Sequence, residues 1–358
     1  MIRFILRRLL LTVPVLFGLI FLVFFLSRVV TRDPCRAILG EKATDATCAA
    51  FIQRAGLDQP IPVQFGIYVG QLAQGDLGRS IKFNRPVTEI LIERLPTTVE
   101  LTVWALIFAI VVGVPLGILS AIRRNSPVDV GAMMVANLGV SMPVFVLGLF
   151  LQFIFALLLK NTFLSLPPSG RLSAGIEVLP LVEVWGMTGT TGVLRGILDF
   201  FSGIYTFSAA ITGQWTAWFD AIRHLILPAI ALGTIPLAII ARITRSSLLE
   251  TLGQDYVRTA RAKGLKERSV VLRHATRNAM LPVVTVIGLQ LGALFAGAVL
   301  TESTFNLAGV GRTLFEAIIG RDYVVIQGFI LVVAVAYVVV NLIVDISYGF
   351  LDPRIRLR

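Results

Sequence analysis

Long apolar runs alternate with polar segments along the whole chain. The first apolar run extends from Leu9 to Ser27, and five more cover about 101–122, 130–159, 225–241, 281–300 and 323–348. An α-helix needs about 20 apolar residues to cross the hydrocarbon core of a bilayer, and most of these runs reach that length. The pattern therefore predicts an all-α integral membrane protein with six transmembrane helices.

The N-terminal residues allow two interpretations, a signal peptide or a first membrane span. Arg3, Arg7 and Arg8 precede the apolar run, as basic residues do in both cases. A signal peptide has an apolar core of about 7 to 15 residues and a small-x-small cleavage site, whereas this run is longer and lacks such a site. We therefore predict a transmembrane helix over residues 1–30, with its N-terminus inside.

The composition of the chain also indicates a membrane protein. Of its 358 residues, 56% are hydrophobic and 15% are charged, and the mean hydropathy is +0.84. The net charge of +11 could indicate nucleic-acid binding, but the basic residues lie beside the apolar runs and form no surface interleaved with aromatic residues. We interpret the charge as the positive-inside pattern of a protein whose partner is the lipid bilayer, with no nucleic acid.

A docking segment, residues 246–281, is strongly cationic although it lies between two apolar runs. Its basic residues include Arg258, Arg261, Lys263, Lys266, Arg268, Arg273 and Arg277. Each would cost about 2.5 to 3.5 kcal/mol at the centre of an inserted helix, so the segment must lie in water. The positive-inside rule assigns it to the cytoplasm.

Within the docking segment, the sequence predicts two short helices joined by a sharp turn. One stripe of the first helix recurs every four residues, at Leu248, Leu252, Tyr256 and Ala260. Gly264 can end this helix, and a second helix is predicted over about 267–278. The small residues Thr259, Ala260 and Ala262 leave a face that another protein could approach closely. Because the segment has no apolar core of its own, we expect its stability to depend on that partner.

A long polar segment, residues 31–97, follows the first span and has nearly balanced acidic and basic residues, which places it outside. Gly, Pro and Asp at 56–60 and 75–78 mark turns between short helices, so we predict a folded extracytoplasmic subdomain. Both cysteines, Cys35 and Cys48, lie here with twelve residues between them. Two interpretations stay open: two unpaired thiols, or a disulfide that stabilises the fold by roughly 3 kcal/mol.

A second polar stretch, the insertion at residues 160–222, separates the third and fourth spans. Its part from 193 to 213 is apolar enough to be mistaken for a span, but Arg195 and Asp199 lie four residues apart on one helical face. This spacing favours an amphipathic helix at the outer surface. A seventh crossing would also place the docking segment outside, so we reject it.

Several helix-distorting residues fall inside the predicted spans. The run 130–159 is longer than a straight crossing needs, and Ser141-Met-Pro143 is the natural place for a break. Pro228 and Pro236 lie in the short fourth span. Gly288 and Gly292 form a small-x-x-x-small pair that favours close packing of the fifth span on another helix.

Polar residues in or next to the spans are candidates for lining a translocation pathway. They are Asn137, Ser141, Gln152, Gln290 and Glu302. The four uncharged residues have an alternative role in hydrogen bonds between packed helices. For Glu302, the alternatives are a contact with a cationic substrate terminus or a binding protein, and a solvated carboxylate at the membrane interface.

Enzymatic chemistry finds no support in the sequence. His224 and His274 are fifty residues apart and have no Cys or His neighbours at ligand spacing, so no metal site is predicted. No G-x-x-x-x-G-K-[ST] motif occurs, so the chain cannot bind ATP phosphates in the P-loop manner. If transport uses ATP, the energy must come from another subunit.

Five short motifs stand out along the chain: Arg258-Thr-Ala-Arg-Ala-Lys-Gly264, His274-Ala-Thr-Arg-Asn-Ala279 with Pro282, Gly56-Leu-Asp-Gln-Pro60, Gly75-Asp-Leu-Gly78 and Asp352-Pro-Arg-Ile-Arg356. Together they resemble the permease subunits of binding-protein-dependent ABC importers, in the dipeptide/oligopeptide/nickel branch. The resemblance covers nearly the whole chain. The general signature of these importers begins Glu-Ala-Ala, whereas the corresponding positions here are Arg258, Thr259 and Ala260, so the acidic residue is missing.

The resemblance implies a type I ABC importer fold and a permease subunit that translocates di- and oligopeptides. It also implies a second homologous permease, two ABC ATPase subunits that bind ATP and Mg²⁺, and an extracytoplasmic substrate-binding protein, with no cofactor in this chain. Its ATPase-coupling residues would be Tyr256, Arg258, Thr259, Ala260, Arg261, Ala262, Lys263, Gly264 and Leu265, followed by a second contact segment with His274, Arg277, Asn278 and Pro282.

The resemblance further implies a permease core at residues 98–349 and a basic cytoplasmic tail at 350–358. The expected location is a bacterial or archaeal plasma membrane. Two other functions stay open. The same architecture imports nickel, glutathione or haem. An ATPase-independent channel or carrier would show internal repeats and charges inside the membrane, whereas these spans are almost free of charge and show no convincing self-similarity.

Overall fold

The computed structural model of the chain is helical, as predicted. It describes residues 2–30, 44–54, 58–80 and 82–351, and these contain no β-strand. The helices are α1 (Ile2–Val30), α2 (Asp45–Arg54), α3 (Ile61–Ala73), α4 (Val87–Ile122), α5 (Pro127–Ser141), α6 (Val144–Gln152), α7 (Leu181–Val184), α8 (Gly192–Ser202), α9 (Tyr205–Ile211), α10 (Trp215–Leu252), α11 (Asp255–Ala262), α12 (Glu267–Ser269), α13 (Thr276–Thr304), α14 (Val310–Ile319) and α15 (Tyr323–Leu351). π-Helical turns follow α6 (Phe153–Leu158) and join α12 to α13 (Val270–Ala275).

Some sequence predictions fall outside the described residues. Cys35 is one of them, so the bridge between Cys35 and Cys48 stays a prediction. The same holds for Gly56 and for the basic tail after Leu351.

Four helices in the described part of the chain are long and apolar enough to cross a bilayer. They are Val87–Ile122, Trp215–Leu252, Glu267–Thr304 and Tyr323–Val344. A fifth span is formed if the bent pair Pro127–Ser141 and Val144–Leu158 is counted as one. The shorter apolar stretch Leu10–Phe25 of α1 precedes them. The order of apolar helices thus follows the six predicted runs.

α10 is the central helix and packs most extensively on α4 and α13. Glycines allow its backbone to approach α4 closely. A Cβ at Gly117 of α4 would lie 2.5 Å from the carbonyl oxygen of Ala241, and a Cβ at Gly233 of α10 would lie 2.6 Å from that of Ala105. Small residues at such contacts are typical of helices that associate inside a membrane.

The predicted bounds of the second and fourth spans are too short. α4 has 36 residues and α10 has 38. α4 therefore begins inside the segment predicted as an extracytoplasmic subdomain, and α10 includes the end of the insertion and the start of the docking segment. Hydropathy identifies only the apolar part of each helix. The backbone hydrogen bonds of the helix continue beyond that part, into polar residues whose charges are paired within the chain. Pro228 and Pro236 lie within α10 without ending it.

The predicted break in the third span is confirmed. α5 ends at Ser141, Met142 is extended with φ −116° and ψ 138°, and α6 begins after Pro143. The two halves meet at an angle of 105°. Proline has no N–H and disfavours the helical conformation of the residue before it, which explains why the break falls at Met142.

The predicted close packing at Gly288 and Gly292 is confirmed as well. A Cβ at Gly292 would lie 2.5 Å from the Cε2 atom of Tyr337, and a Cβ at Gly288 would overlap Val344. Both contacts are made by α15, so the glycines let α13 and the last span pack against each other.

The insertion at 160–222 folds into short helices against the beginning of α4. α8 carries the predicted pair, with Arg195 Nε 3.0 Å from Asp199 Oδ2. With 11 residues, α8 is too short to cross a bilayer. We call the end of the bundle that carries this insertion the insertion end, and the opposite end, which carries residues 255–268, the basic end.

Candidate functional site

The docking helix is α11, and a short break separates it from α10. Gly253 is the C-cap of α10, and Gln254 is extended, with ψ 150°, before α11 begins. The prediction of one helical stripe through Leu248, Leu252, Tyr256 and Ala260 is therefore wrong, because these residues belong to two helices. The four-residue spacing passes over Gly253, whose low helix propensity favours an end there.

Gly264 ends the docking helix, as predicted. Its φ of +74° lies in the left-handed region, which glycine adopts without a steric penalty. The N–H of Gly264 donates to the carbonyl of Arg261 at 2.9 Å, and the N–H of Leu265 donates to that of Ala260 at 3.4 Å. This pair of bonds is a Schellman motif, which satisfies the last carbonyls of the helix and turns the chain sharply.

A small apolar core lies beneath the docking helix. It consists of Ala121, Leu248, Val257, Ala260, Val270, Val271, Ala275 and Ala279. These residues come from the ends of α4 and α10, from the docking helix, and from the π-turn and beginning of α13. The expectation that the segment has no core of its own is therefore wrong. Sequence periodicity missed this core because its residues come from five separate elements.

The opposite face of the docking helix is exposed and basic. All predicted coupling residues except Ala260 are exposed, namely Tyr256, Arg258, Thr259, Arg261, Ala262, Lys263, Gly264 and Leu265. Arg258 lies 3.4 Å from Asp255 and Arg261 lies 2.7 Å from Glu267. The hydrogen bonds from Arg261 to the Glu267 carboxylate raise the pKa of the Arg261 guanidinium. The helix therefore presents permanent positive charge on a supported surface.

The second predicted contact segment is the beginning of a long helix. α12, the π-turn and α13 together form one helix, Glu267–Thr304, so the predicted end near residue 278 is wrong. Pro282 lies inside α13 without ending it. Arg277, Asn278 and Pro282 are exposed and His274 is partly buried. Asn278 Nδ2 donates to the hydroxyl of Tyr256 at 2.8 Å, which joins the two contact segments.

The uncharged pathway candidates lie on three helices and have different partners. Ser141 Oγ donates to the carbonyl of Asn137 at 3.1 Å, and Asn137 Oδ1 accepts from an arginine of α10. Gln152 Nε2 donates to two backbone carbonyls, those of Pro168 at 2.8 Å and Thr304 at 3.1 Å. Gln290 is partly buried. These bonds agree with the packing interpretation, and a role in a pathway stays a prediction.

Glu302 is fully buried at the insertion end, with 0% exposure. Its carboxylate accepts from the Thr98 hydroxyl at 2.6 Å and from the N–H of Arg312, in the first turn of α14, at 2.9 Å. A Cβ at Gly309 would overlap the carboxylate. The interpretation as a solvated carboxylate is therefore wrong, because α4 and α14 cover it. The free N–H groups at the beginning of α14 favour this placement, since they need acceptors.

Sequence reasoning missed an ion pair at the basic end. Arg245 of α10 donates to Asp129 of α5 through Nε at 2.9 Å and Nη2 at 2.8 Å. The hydroxyl of Ser120 and the N–H of Asn125 donate to the same carboxylate. Since the two residues are 116 positions apart, no local periodicity relates them. The available signal was a single acidic residue at the start of an apolar run, just after Arg123 and Arg124.

Metal-ligating side chains do not cluster in the described ranges. No group of three His, Cys, Asp or Glu residues there could hold a metal ion. His224 is buried in α10, and its Nδ1 lies 2.9 Å from the carbonyl oxygen of Asp220. The candidate site is the exposed basic surface formed by the docking helix and the start of α13.

Two family models match the chain. One, described as a binding-protein-dependent transport system inner membrane component, matches residues 113–357. The other describes the N-terminal part of a membrane component of such systems and matches residues 1–102. The first match contains the whole docking segment.

Individual proteins are similar to the chain over nearly their whole length. It is 46% identical over 356 residues to the dipeptide transport system permease protein DppB of Alkalihalophilus pseudofirmus, covering 99% of this chain and 100% of that protein. It is 44% identical over 357 residues to the di/tripeptide transport system permease protein DppB of Pseudomonas aeruginosa, covering 99% of each. The dipeptide permease protein DppB of Escherichia coli K12 is 44% identical over 358 residues, again with 99% of each covered.

Proposed function

The chain belongs to the family of binding-protein-dependent transport system inner membrane components, and we propose that it is the permease subunit of an ATP-driven importer of di- and oligopeptides. The names of its relatives as dipeptide or di/tripeptide permeases support peptide cargo. Its helical architecture is that of a type I ABC importer permease. In this function the chain forms part of the translocation pore and catalyses no reaction itself.

The docking helix is the observation that carries this proposal. Val257 and Ala260 on its underside are buried in the chain, while its basic outer face is exposed. The sequence contains no P-loop motif, so energy from ATP has to enter through contact with another protein. A helix that is buried against its own chain on one face and exposed to solvent on the other suits such a contact. We place an ABC ATPase subunit here, and a second ATPase on a second, homologous permease, with ATP and Mg²⁺ bound by the ATPases.

The connections of the docking helix allow it to act as a lever. Two residues, Gly253 and Gln254, separate it from α10, and Glu267–Thr304 continues from the same surface as one helix. When the ATPases close around ATP, movement of the docking helix reorients α10 and α13. The cavity between the two permeases then alternates between the two faces of the membrane, as a rigid-body transition between packed arrangements.

The charge distribution supports an orientation. The exposed cations of the basic end belong in the cytoplasm by the positive-inside rule. Both termini are then cytoplasmic, and the subdomain at residues 31–97 lies outside, where it receives the substrate-binding protein. The setting is the plasma membrane of a bacterium or archaeon.

Other cargoes and another mechanism are the alternatives that the experiment must separate. Importers of nickel, glutathione or haem share this architecture. Since substrate choice lies mostly in the binding protein, the architecture alone does not decide the cargo. An ATPase-independent channel or carrier would need no docking surface. The buried underside and exposed basic face of α11 favour the ATP-driven importer.

Reconstitution of the whole assembly tests the proposal. The chain, the second permease, the ATPases and the binding protein are placed in liposomes, and ATP hydrolysis and uptake of labelled dipeptide are measured together. We expect peptide uptake that requires ATP, Mg²⁺ and the binding protein, with no competition by nickel, haem or glutathione. Peptide uptake without ATPase subunits would contradict the proposal, and so would competition by nickel, haem or glutathione.

A further inference from the structure

We propose that Asp129 and Arg245 are positioning residues that fasten α5, the first half of the broken third span, to α10, so that α5 moves with the docking helix. The inference rests on the proposed function, because it concerns how movement at the docking helix spreads into the membrane. It assigns a role to an ion pair that the sequence motifs do not include.

The geometry of this ion pair suits a rigid fastening. Both carboxylate oxygens of Asp129 accept from the guanidinium of Arg245, at 2.9 and 2.8 Å. The two side chains are 6% and 28% exposed. A two-point bond of this kind fixes orientation as well as distance. The same carboxylate accepts from Ser120 at the end of α4 and from the backbone of Asn125, so it also holds the turn between α4 and α5.

Two further contacts run along the same pair of helices. Arg242, one turn before Arg245, donates to Asn137 Oδ1 at 3.3 Å. A Cβ at Gly139 would overlap Thr234. As the residue number falls on α5 from 139 to 129, the partner's number on α10 rises from 234 to 245. The two helices therefore pack antiparallel, and the ion pair closes their contact at the basic end.

The ion pair lies close to the docking helix, where the ATPase subunit would move this chain. Arg245 precedes the end of α10 at Leu252 by about two helical turns. Leu248, between them, belongs to the apolar core beneath the docking helix, and so does Ala121 at the end of α4. The ends of α4 and α10, the docking helix and α5 are thus joined into one body.

The second half of the broken span is held nearer the insertion end, where α6 packs on both α10 and α13. Gln152 at the end of α6 donates to the carbonyls of Pro168 and Thr304, both at the insertion end. Gly148 packs on Phe305, where a Cβ would lie 3.0 Å from the ring. The extended residue Met142 therefore separates a half held to the docking helix from a half held to the insertion end. Movement of the docking helix is expected to bend the span at this point.

The test measures how much peptide is transported per ATP hydrolysed by the reconstituted full complex. Asp129→Asn removes the charge, and Arg245→Lys keeps the charge but loses the two-point geometry. We expect either variant to keep basal ATP hydrolysis and to lower the transport ratio by about tenfold, a typical size for coupling between sites. In the double variant Asp129→Asn with Arg245→Gln, the amount of peptide transported per ATP should be no lower than in the more impaired single variant, because each substitution removes the same interaction.

Arg195→Lys is the control, because Arg195 Nε donates to both carboxylate oxygens of Asp199, in an arginine–aspartate pair on the surface of the insertion. Its transport ratio should equal that of the wild type. Wild-type ratios in the Asp129 and Arg245 variants would overturn the inference, as would failure of every variant to assemble, since the pair would then serve assembly alone. Absence of ATP-dependent uptake by the wild-type complex would instead overturn the proposed function.

Discussion

Three carboxylates at the insertion end and the charged residues of the docking helix at the basic end have opposite environments. At the insertion end, Glu100, Glu302 and Asp322 are only 3%, 0% and 1% exposed, and donors of the same chain satisfy each carboxylate. At the basic end, the side chains of Arg258 and Asp255 are 72% and 96% exposed although they lie 3.4 Å apart. Exposed pairs contribute about 0–1 kcal/mol, whereas removing one partner of a buried pair costs about 3–5 kcal/mol. These three carboxylates hold the fold at the insertion end, whereas the charges of the docking helix remain exposed.

The buried carboxylates have a common structural role. Glu100 accepts from the N–H of Thr206 in the first turn of α9 at 2.6 Å. Glu302 accepts from the first turn of α14, and Asp322 accepts from Val325 in the first turn of α15 at 3.3 Å. Helix beginnings carry N–H groups without partners and a partial positive charge. Each carboxylate therefore stabilises the beginning of a helix at the insertion end.

Changes inside the docking helix should have the largest functional effect. Ala260→Arg would place a charged side chain in the apolar core, and Gly264→Pro would need φ near −65° where the chain has +74°. We expect both to abolish ATP-driven peptide uptake while the chain still inserts into the membrane, as measured by uptake assays and membrane fractionation.

The matched control for these variants is Ala174→Arg, which introduces the same side chain at an exposed alanine of the insertion. It should retain uptake. Normal uptake by both docking-helix variants would contradict the assignment of this helix.

Removal of Arg171 should have the largest effect on stability. Its Nη2 lies 2.5 Å from Glu100 Oε2, with side-chain exposures of 15% and 2%. Arg171→Leu leaves the Glu100 carboxylate buried with fewer partners and should destabilise the protein by about 3–5 kcal/mol. The midpoint of thermal unfolding in detergent measures this. Arg195→Leu, at the exposed pair on α8, is the control and should change stability by less than about 1 kcal/mol. Equal effects of the two changes would remove the distinction between buried and exposed charges.

Replacement of Glu302 should have a smaller effect. Glu302→Leu leaves the Thr98 hydroxyl and the Arg312 N–H without an acceptor, which should cost about 1–3 kcal/mol. Glu302→Gln keeps one acceptor oxygen and should lower the free energy of unfolding by less than Glu302→Leu does. Thermal unfolding of both variants in parallel provides the measurement, and a leucine variant as stable as the wild type would show that these bonds contribute little.

Loss of an exposed cation at the basic end should have the smallest effect on stability. Arg261→Gln breaks the pair with Glu267. The side chains of Arg261 and Glu267 are 42% and 59% exposed, so the free energy of unfolding should change by less than about 1 kcal/mol. Binding of the ATPase subunit should nevertheless weaken, more at low salt than at high salt, because salt screens exposed charges. Co-purification at several salt concentrations tests this. Unchanged retention of the ATPase at every salt concentration would contradict a role for this charge in docking.

Local features of the sequence predicted several parts of the fold and of the candidate site. Pro143 breaks the third span because it has no N–H, Gly264 ends the docking helix because it adopts a positive φ, and Arg195 with Asp199 marks the amphipathic α8. The continuous helix over Gly253 and the separate second docking helix were wrong. The first error came from four-residue spacing, which cannot tell whether a glycine ends a helix. The second concerns a helix that continues through Pro282 without ending there.

The sequence by itself determined the membrane class, the order of apolar helices and the cationic docking segment, because each depends on residues close together in the chain. The tertiary structure decided which charges are buried and which remain available. Asp129 meets Arg245 and Glu302 meets Thr98 only after distant helices pack, and at a distance of 116 or 204 residues no spacing rule relates the partners. Whether a carboxylate faces water or the beginning of a helix depends on that packing.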